Sequence, residues 1–427
     1  MMDFSSESMQ ASGHGVSRRQ FAALGAGTAA LVSDAFGMRT ALASHAGQLR
    51  QQGKSMILLW MQGGPSQFET LDPKPGTQEG GPTKDIQTSV AGIRLADNFP
   101  KVAQQMSDIA IVRSMTNKEG SHPRATYQLH TGYVPAGSVR HPSFGSCIAQ
   151  QISQQGCDLP PCVSIGPTQG AGFLGMDYEP FVVARPGQLP DNVASPVVPD
   201  RLARRTNLLG QLTGEFSRTG SEQLAKTHTA LYSKASKLIV TPETAAFDIS
   251  SEPAALKAAY GESNFGRGCL LARRLIEQGV SFVEVRSNNW DTHQDNFAAV
   301  ARNSSEVDPA TAALIVDLRD RGLLANTLVV WMGEFGRTPK INPREGRDHY
   351  PRVFSMMMAG CGIRGGQVYG SSSADGSVVQ DNPVTVPDLL RTQCQALGLN
   401  PDLENMSPQG RPLKVVDGGK VIDALLS

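Results

Sequence analysis

Five short runs, apolar or nearly so, constrain the fold more than anything else in the chain. They are MILLWM (56–61), IAIVRSM (109–115), VSFVEVR (280–286), TLVVWM (327–332) and VFSMMMA (353–359). Runs of this length without alternation suit strands buried on both faces, because alternation is expected only where one face meets water. Between them lie stretches of helical type: NFPKVAQQMSD, PSFGSCIAQQIS, FGRGCLLARRLIEQG and DPATAALIVDLRDRGL. VPDLLRTQCQALGL (386–399) reads as a closing helix. Strands alternating with amphipathic helices predict an α/β fold, a three-layer sandwich around a mainly parallel central sheet. Residues 199–262 differ, being polar and Ala-rich with few strand runs, and are expected to form a helical insertion rather than a separate domain.

The N-terminus reads as a targeting segment. SRRQF (Ser17–Phe21) precedes AALGAGTAALV, which is too short and too rich in Gly and Ala for a membrane span. ALA at Ala41–Ala43 then offers a small-residue cleavage site. The pattern resembles a bacterial twin-arginine export signal. Residues 1–43 are therefore set apart from a single domain over 44–427. The expected partner in export is the twin-arginine translocase, and the expected location is the periplasm, or the membrane if the signal stays uncleaved. That route carries folded proteins, often loaded with a cofactor, which favours a metal.

Lys+Arg and Asp+Glu balance at 39 each, so net charge supplies no reason to expect nucleic acid or an anionic membrane as the main partner. The six cysteines show no paired zinc spacing. Export permits disulfides and leaves a Cys157–Cys162 bridge open, beside the reading of the cysteines as buried thiols.

Ligands of open α/β sheets sit beyond the carboxyl ends of the strands. The segments that follow four of the runs are QGGPSQFETLDPKPG, TNKEGSHPRATYQLHTGY, SNNWDTHQDNF and GEFGRTPKINPREGRDHYP. They bring Glu69, Asp72, His122, Asp291, His293, Glu334, Arg337, Asp348 and His349 to one predicted edge. Carboxylates and imidazoles without thiolates suit divalent ions such as zinc, manganese, iron or calcium. Asp291 and His293, two apart, can face one side of an extended segment, whereas adjacent Asp348 and His349 fit two ions more naturally. Arg124 and Arg337 are candidates to hold an anionic group by forked hydrogen bonds.

LLWMQGGPSQFETLDPKPG, NNWDTHQDN, VVWMGEFGRTPKIN and GRDHYPRVFSMMMAGCGIRGGQVYG together resemble the bacterial family known as domain of unknown function 1501. The likeness runs over nearly all of the chain after residue 43. The family resembles a branch of the alkaline phosphatase and sulfatase superfamily, and this implies an alkaline phosphatase-like sandwich and hydrolysis of sulfate or phosphate esters at one or two metals. By the same resemblance Asp291, His293, Glu334, Asp348 and His349 are expected to bind metal. SHPRATYQLHTGYVP is similar to the sulfatase nucleophile stretch, but Arg124 stands one residue early. The first strand ends on Gln62 where the superfamily has Asp, which leaves Glu69 or Asp72 as the available acid. The expectation is an exported metal-dependent ester hydrolase acting on an anionic small molecule or a sulfated or phosphorylated glycan. Ser121 or a metal-bound water would attack, His122 would serve as acid or base, and Arg124 and Arg337 would stabilise charge. The alternative is a non-catalytic exported binding protein on the same scaffold.

Overall fold

The structure, a computed structural model, describes residues 53–427 apart from 154–156, 191–192 and 194–196. The expected export signal lies outside the described residues. Gln51–Ser427 cluster as one compact unit.

Its centre is an eight-stranded sheet: β1 (Ser55–Met61), β2 (Ile109–Met115), β3 (Cys162–Ile165), β4 (Phe181–Val183), β5 (Phe282–Ser287), β6 (Thr327–Met332), β7 (Phe354–Ala359) and β8 (Gln367–Tyr369). The order across the sheet is β8-β2-β7-β6-β1-β5-β3-β4. Neighbours pair in parallel except at β7, which runs antiparallel to β6 and β2. All five strands read from the sequence are present. β3, β4 and β8 were not foreseen; they are too short for any period to show.

Both sheet faces are covered, as the unbroken apolar runs require. Along β1, Ile57, Leu59 and Met61 enter one core while Met56, Leu58 and Trp60 enter the other. Helices α1 (His122–Thr131), α2 (Phe144–Ile152) and α8 (Val386–Leu397) contribute to the second core. Helices α6 (Asn264–Glu277) and α7 (Asn296–Asp320) contribute to the first. Within 199–262 the chain forms α3 (Pro199–Thr219), α4 (Glu222–Val240) and α5 (Ala254–Tyr260). The stretch NFPKVAQQMSD forms only a one-turn helix and a 3-10 turn. In contrast α7 starts well before the expected stretch and runs through Pro309. The preceding Asp308 carboxylate accepts the amides of Lys101 and Val102 at the start of that one-turn helix. No disulfide forms among the described residues: Cys162 is buried in β3, and the Cys157 thiol donates to the Gln278 carbonyl.

This topology fixes the functional edge. β5, β1 and β6 are parallel neighbours, so their carboxyl ends lie side by side. β7 is reversed, so its amino end, reached through His349, meets the same edge.

Candidate metal centre

Local backbone geometry aims the side chains. After β5 the chain turns at Asn289 in the left-handed region (φ 71°), buries Trp290, and presents Asp291 and His293. Gly63, after β1, has φ 116°, and a Cβ there would fall within the backbone of Trp290–Asp291. Only glycine lets the β1 and β5 loops touch so closely. His122 is the first residue of α1. His349 sits in a two-stranded ribbon opposite Arg337.

Three imidazoles converge on one carboxylate. His349 Nδ1 lies 2.8 Å from the Gly120 carbonyl, which can only accept, so Nδ1 carries the proton and Nε2 is a bare lone pair. His293 Nδ1 donates to Asp348 Oδ1 at 2.8 Å, and His122 Nδ1 to Glu334 Oε1 at 2.6 Å, which bares their Nε2 atoms in the same way. Those atoms face Asp291. His293 Nε2 is 3.1 Å and His349 Nε2 3.3 Å from its Oδ1, and His122 Nε2 is 3.3 Å from its Oδ2. The two Nε2 atoms of His293 and His349 are themselves 3.0 Å apart. His122 Nε2 is buried without a hydrogen-bond partner. One ligand atom from each of His122, Asp291 and His349 lies within 4.8 Å of the others.

Acceptors pointed at one another repel unless a cation sits among them. Metal-binding histidines donate their remaining N–H to a carboxylate or backbone carbonyl, and that is the arrangement at all three rings. Bonds of about 2.0–2.2 Å in a tetrahedral site place neighbouring ligand atoms about 3.3–3.5 Å apart. The Asp291–His293–His349 triangle, with sides of 3.1, 3.0 and 3.3 Å, approaches that size. The donor set therefore fits a divalent ion.

Electrostatics agree with the geometry at Asp291 and His349. Burial works against the charge on Asp291, but the Arg337 hydrogen bond, supported by His122 and His293, outweighs it and holds the carboxyl at about 2. Burial, together with Arg337 and His122, keeps His349 below the ordinary imidazole value despite the Gly120 hydrogen bond. At His122 burial is outweighed by Glu334 and Asp291, and the pKa rises. The His293 hydrogen bond lowers Asp348.

The expected site residues divide into three groups. Asp291, His293 and His349 converge, and His122, expected as an acid or base, joins them as a donor. Glu334, Asp348 and Arg337 stand behind that shell. Fully buried Glu334 also accepts Gly63 N–H at 3.0 Å and the Gln62 amide at 3.1 Å. Arg337, expected to stabilise an anion, is fully buried. Its three nitrogens donate to the carbonyls of Gly63, Gly64, Trp290 and Arg347 and to Asp291 Oδ1 at 2.6 Å, so the guanidinium is turned into the protein rather than toward a substrate.

The third group lies elsewhere. Glu69 stands apart from that cluster: it is buried against Arg347 at 2.8 Å and accepts from Asn296 at 2.8 Å. Asp72 pairs with Lys74 and Ser372. Arg124 points its fork at Glu119, with both bonds at 2.8 Å. Ser121 is exposed at the N-cap of α1, where its side chain makes no capping bond. Sequence reasoning missed the Gly120 carbonyl and Gln62, whose parts depend on backbone position and rotamer rather than residue type.

Fold and site together define an α/β sandwich protein with a histidine–aspartate centre at the carboxyl edge of its sheet. The chain belongs to the family described as protein of unknown function DUF1501, whose model matches residues 53–426. No curated protein sequence matches it. Among solved structures it is similar to the PsFucS1 sulfatase from Pseudoalteromonas sp. (14% identity, 84% of this chain and 70% of that one, TM-score 0.39). It is also similar to a phosphonate monoester hydrolase of Agrobacterium radiobacter (13%, 87% and 77%, TM-score 0.33). A protein in the alkaline phosphatase superfamily from Vibrio parahaemolyticus is a further match (12%, 82% and 67%, TM-score 0.36). Among the described residues no helix is long and apolar enough to cross a membrane.

Proposed function

We propose that the chain is an exported metal-dependent hydrolase of sulfate or phosphate esters, with Asp291, His122, His293 and His349 holding a divalent ion. The observation that carries this reading is the shared tautomer. Each imidazole is pinned through Nδ1 and turns a bare Nε2 toward Asp291. A divalent ion bound there would supply Lewis-acid stabilisation of the ester's developing negative charge.

The chain's own residues supply orientation and anion recognition. Glu334 and Asp348 hold the rings, and Arg337 holds Asp291, as positioning residues. Ser121, exposed beside His122, is the hydroxyl we assign as nucleophile: its oxygen bonds to sulfur or phosphorus as the ester's alcohol leaves carrying the hydroxyl's proton, and water then cleaves the Ser121 ester to release sulfate or phosphate. Arg124 is the anion-binding residue we retain. Its pair with Glu119 leaves the Arg124 side chain 48% exposed, and solvent screens such surface pairs so that they contribute little. An anionic sulfate or phosphate ester can therefore displace Glu119. The N-terminus of α1, with its positive dipole end, lies in the same segment.

The test has two arms on the purified chain. Elemental analysis should find bound divalent metal at about one ion per chain, lost in Asp291→Asn and His349→Ala. Aryl phosphate, phosphodiester and aryl sulfate esters should then be turned over by the metal-loaded protein and not by those variants. Metal retained with no turnover of any ester would leave the binding-protein alternative standing. Absence of metal after incubation with zinc, manganese or iron would refute the centre itself.

A further inference from the structure

The α3–α4 hairpin exposes apolar side chains that the fold leaves uncovered. On α3, Leu208, Leu212 and Phe216 recur every fourth residue and remain 56%, 55% and 48% exposed. On α4, Leu224 and Leu231 remain 62% and 46% exposed, and with Leu212 and Phe216 they line an open groove of about 510 Å³ between the helices. A solvated helix buries such a stripe or meets a partner through it.

Charge says which partner. The chain as a whole is neutral, yet residues 199–240 carry seven Lys and Arg against three Asp and Glu. At 100° per residue, Arg201 and Arg205 fall within about 20° of the line of Leu212. Both arginines and Arg204 are exposed. Cations thus extend the same face that the leucines begin. Lys234 is not among them, since it donates to the carbonyls of Met176 and Asp177 and ties the hairpin to the body of the protein. A second copy would bring the same positive face and be repelled. The 21 residues of α3 extend the surface over roughly 30 Å. A long, low-relief strip of leucine and phenylalanine flanked by arginine matches an interfacial helix, with its apolar side chains at the acyl boundary and guanidinium groups at lipid phosphates.

We propose that this face of the α3–α4 hairpin docks on an anionic lipid bilayer. The overall charge balance hides this partner because the excess is confined to one hairpin. The inference is independent of the metal centre.

Hydrogen–deuterium exchange of the full chain, with and without vesicles, tests it. Phosphatidylglycerol-containing vesicles should protect amides within 199–240, pure phosphatidylcholine vesicles should not, and added salt should weaken the protection. The pairs Arg201→Glu with Arg205→Glu, and Leu212→Ser with Phe216→Ser, should each lower vesicle partitioning by about tenfold or more. Their circular dichroism should match the parent. A vesicle-bound chain whose 199–240 amides stay unprotected would overturn the proposal. So would equal protection on neutral vesicles, or variants that partition like the parent. Protection by soluble polyglutamate but not by anionic vesicles would assign the face to an acidic polypeptide instead. Protection that rises with protein concentration without lipid would assign it to a second copy.

Discussion

Replacing Arg337 by Met separates a positioning role from a substrate-binding one. The guanidinium is fully buried, and its five recorded bonds end on four backbone carbonyls and Asp291. Those carbonyls belong to the loops after β1 and β5 and to the segment leading into His349, so one side chain ties three ligand-bearing segments together. Met removes every donor at similar length. Each orphaned buried acceptor carries a cost of about 1–3 kcal/mol. The carbonyls can shift toward water once released, so these costs do not add fully. The Asp291 partner counts for less, because its side chain is 44% exposed and solvent screens the charge left behind. The expected loss is about 3–5 kcal/mol, the usual range for breaking a buried charge network. It is read as a lower urea midpoint at unchanged slope. Metal affinity should fall in parallel, and the Asp291 carboxyl should rise from about 2 toward its ordinary range as its main stabiliser goes. A loss below about 1 kcal/mol with metal content unchanged would refute the positioning role. Abolished turnover with stability and metal binding both intact would show instead that Arg337 contacts the substrate.

Three further outcomes follow from particular contacts. Glu69→Gln leaves the fully buried Arg347 charge without its partner and should cost about 3–5 kcal/mol in urea unfolding, while metal content per folded chain stays the same; lost metal at unchanged stability would restore Glu69 as a ligand. Gly63→Ala forces a side chain onto a φ of 116° and into the Trp290–Asp291 backbone. It should cost about 1–3 kcal/mol and weaken metal binding measured by calorimetry. His130 is buried on α1 with Nε2 3.3 Å from Glu284, and although burial opposes its charge, Glu284 raises its pKa above the ordinary value. Its stabilising contribution is therefore complete below the unfolded imidazole pKa of about 6.5 and is lost as pH rises through the higher folded value. In chelator-treated protein, the stability difference between parent and His130→Gln should shrink from pH 6 toward pH 9, and a difference that grows over that range would reverse the assignment.

The sheet was legible where apolar runs were long. MILLWM and TLVVWM admit no other reading once glycines and polar loops bound them, whereas CVSI, FVV and QVY are too short to separate from loop. The helical stretch read from Asp308 began too late: α7 starts at Asn296 and runs through Pro309, whose missing amide costs the helix one bond. The edge that carries the site was also legible, because parallel strands deliver their following loops to one side. What residue types could not convey was rank within the site. Glu334 and Asp348 look like ligands in the sequence, and only the direction of their oxygens, toward imidazole Nδ1 protons, puts them behind the histidines. His122 looked like an acid–base group because it stands beside Ser121; in the structure its Nδ1 is held by Glu334 and its Nε2 is turned toward Asp291. Glu69 looked available because its partner Arg347 is far away in sequence.

In the proposed metal centre a proton would compete for the space between these rings, and the surrounding groups work against it. With Nδ1 of His349 and His293 already donating, a proton at one Nε2 would create an imidazolium beside the Arg337 guanidinium. Burial and the Arg337 charge hold His349 below the ordinary imidazole pKa despite the Gly120 hydrogen bond, which favours a free lone pair at its Nε2. A single proton also bridges only two acceptors, and here three approach within 3.3 Å of one another with a fourth on the far oxygen of Asp291. A cation that accepts several lone pairs at once would satisfy all of them, and histidine–aspartate sets elsewhere do this with a divalent metal. The carboxylate is kept charged by Arg337 from outside the cluster, so its negative charge is in place before any ion arrives. Arg337, Glu334 and Asp348 thus act together: they fix the protons on the outer atoms and leave the inner ones bare.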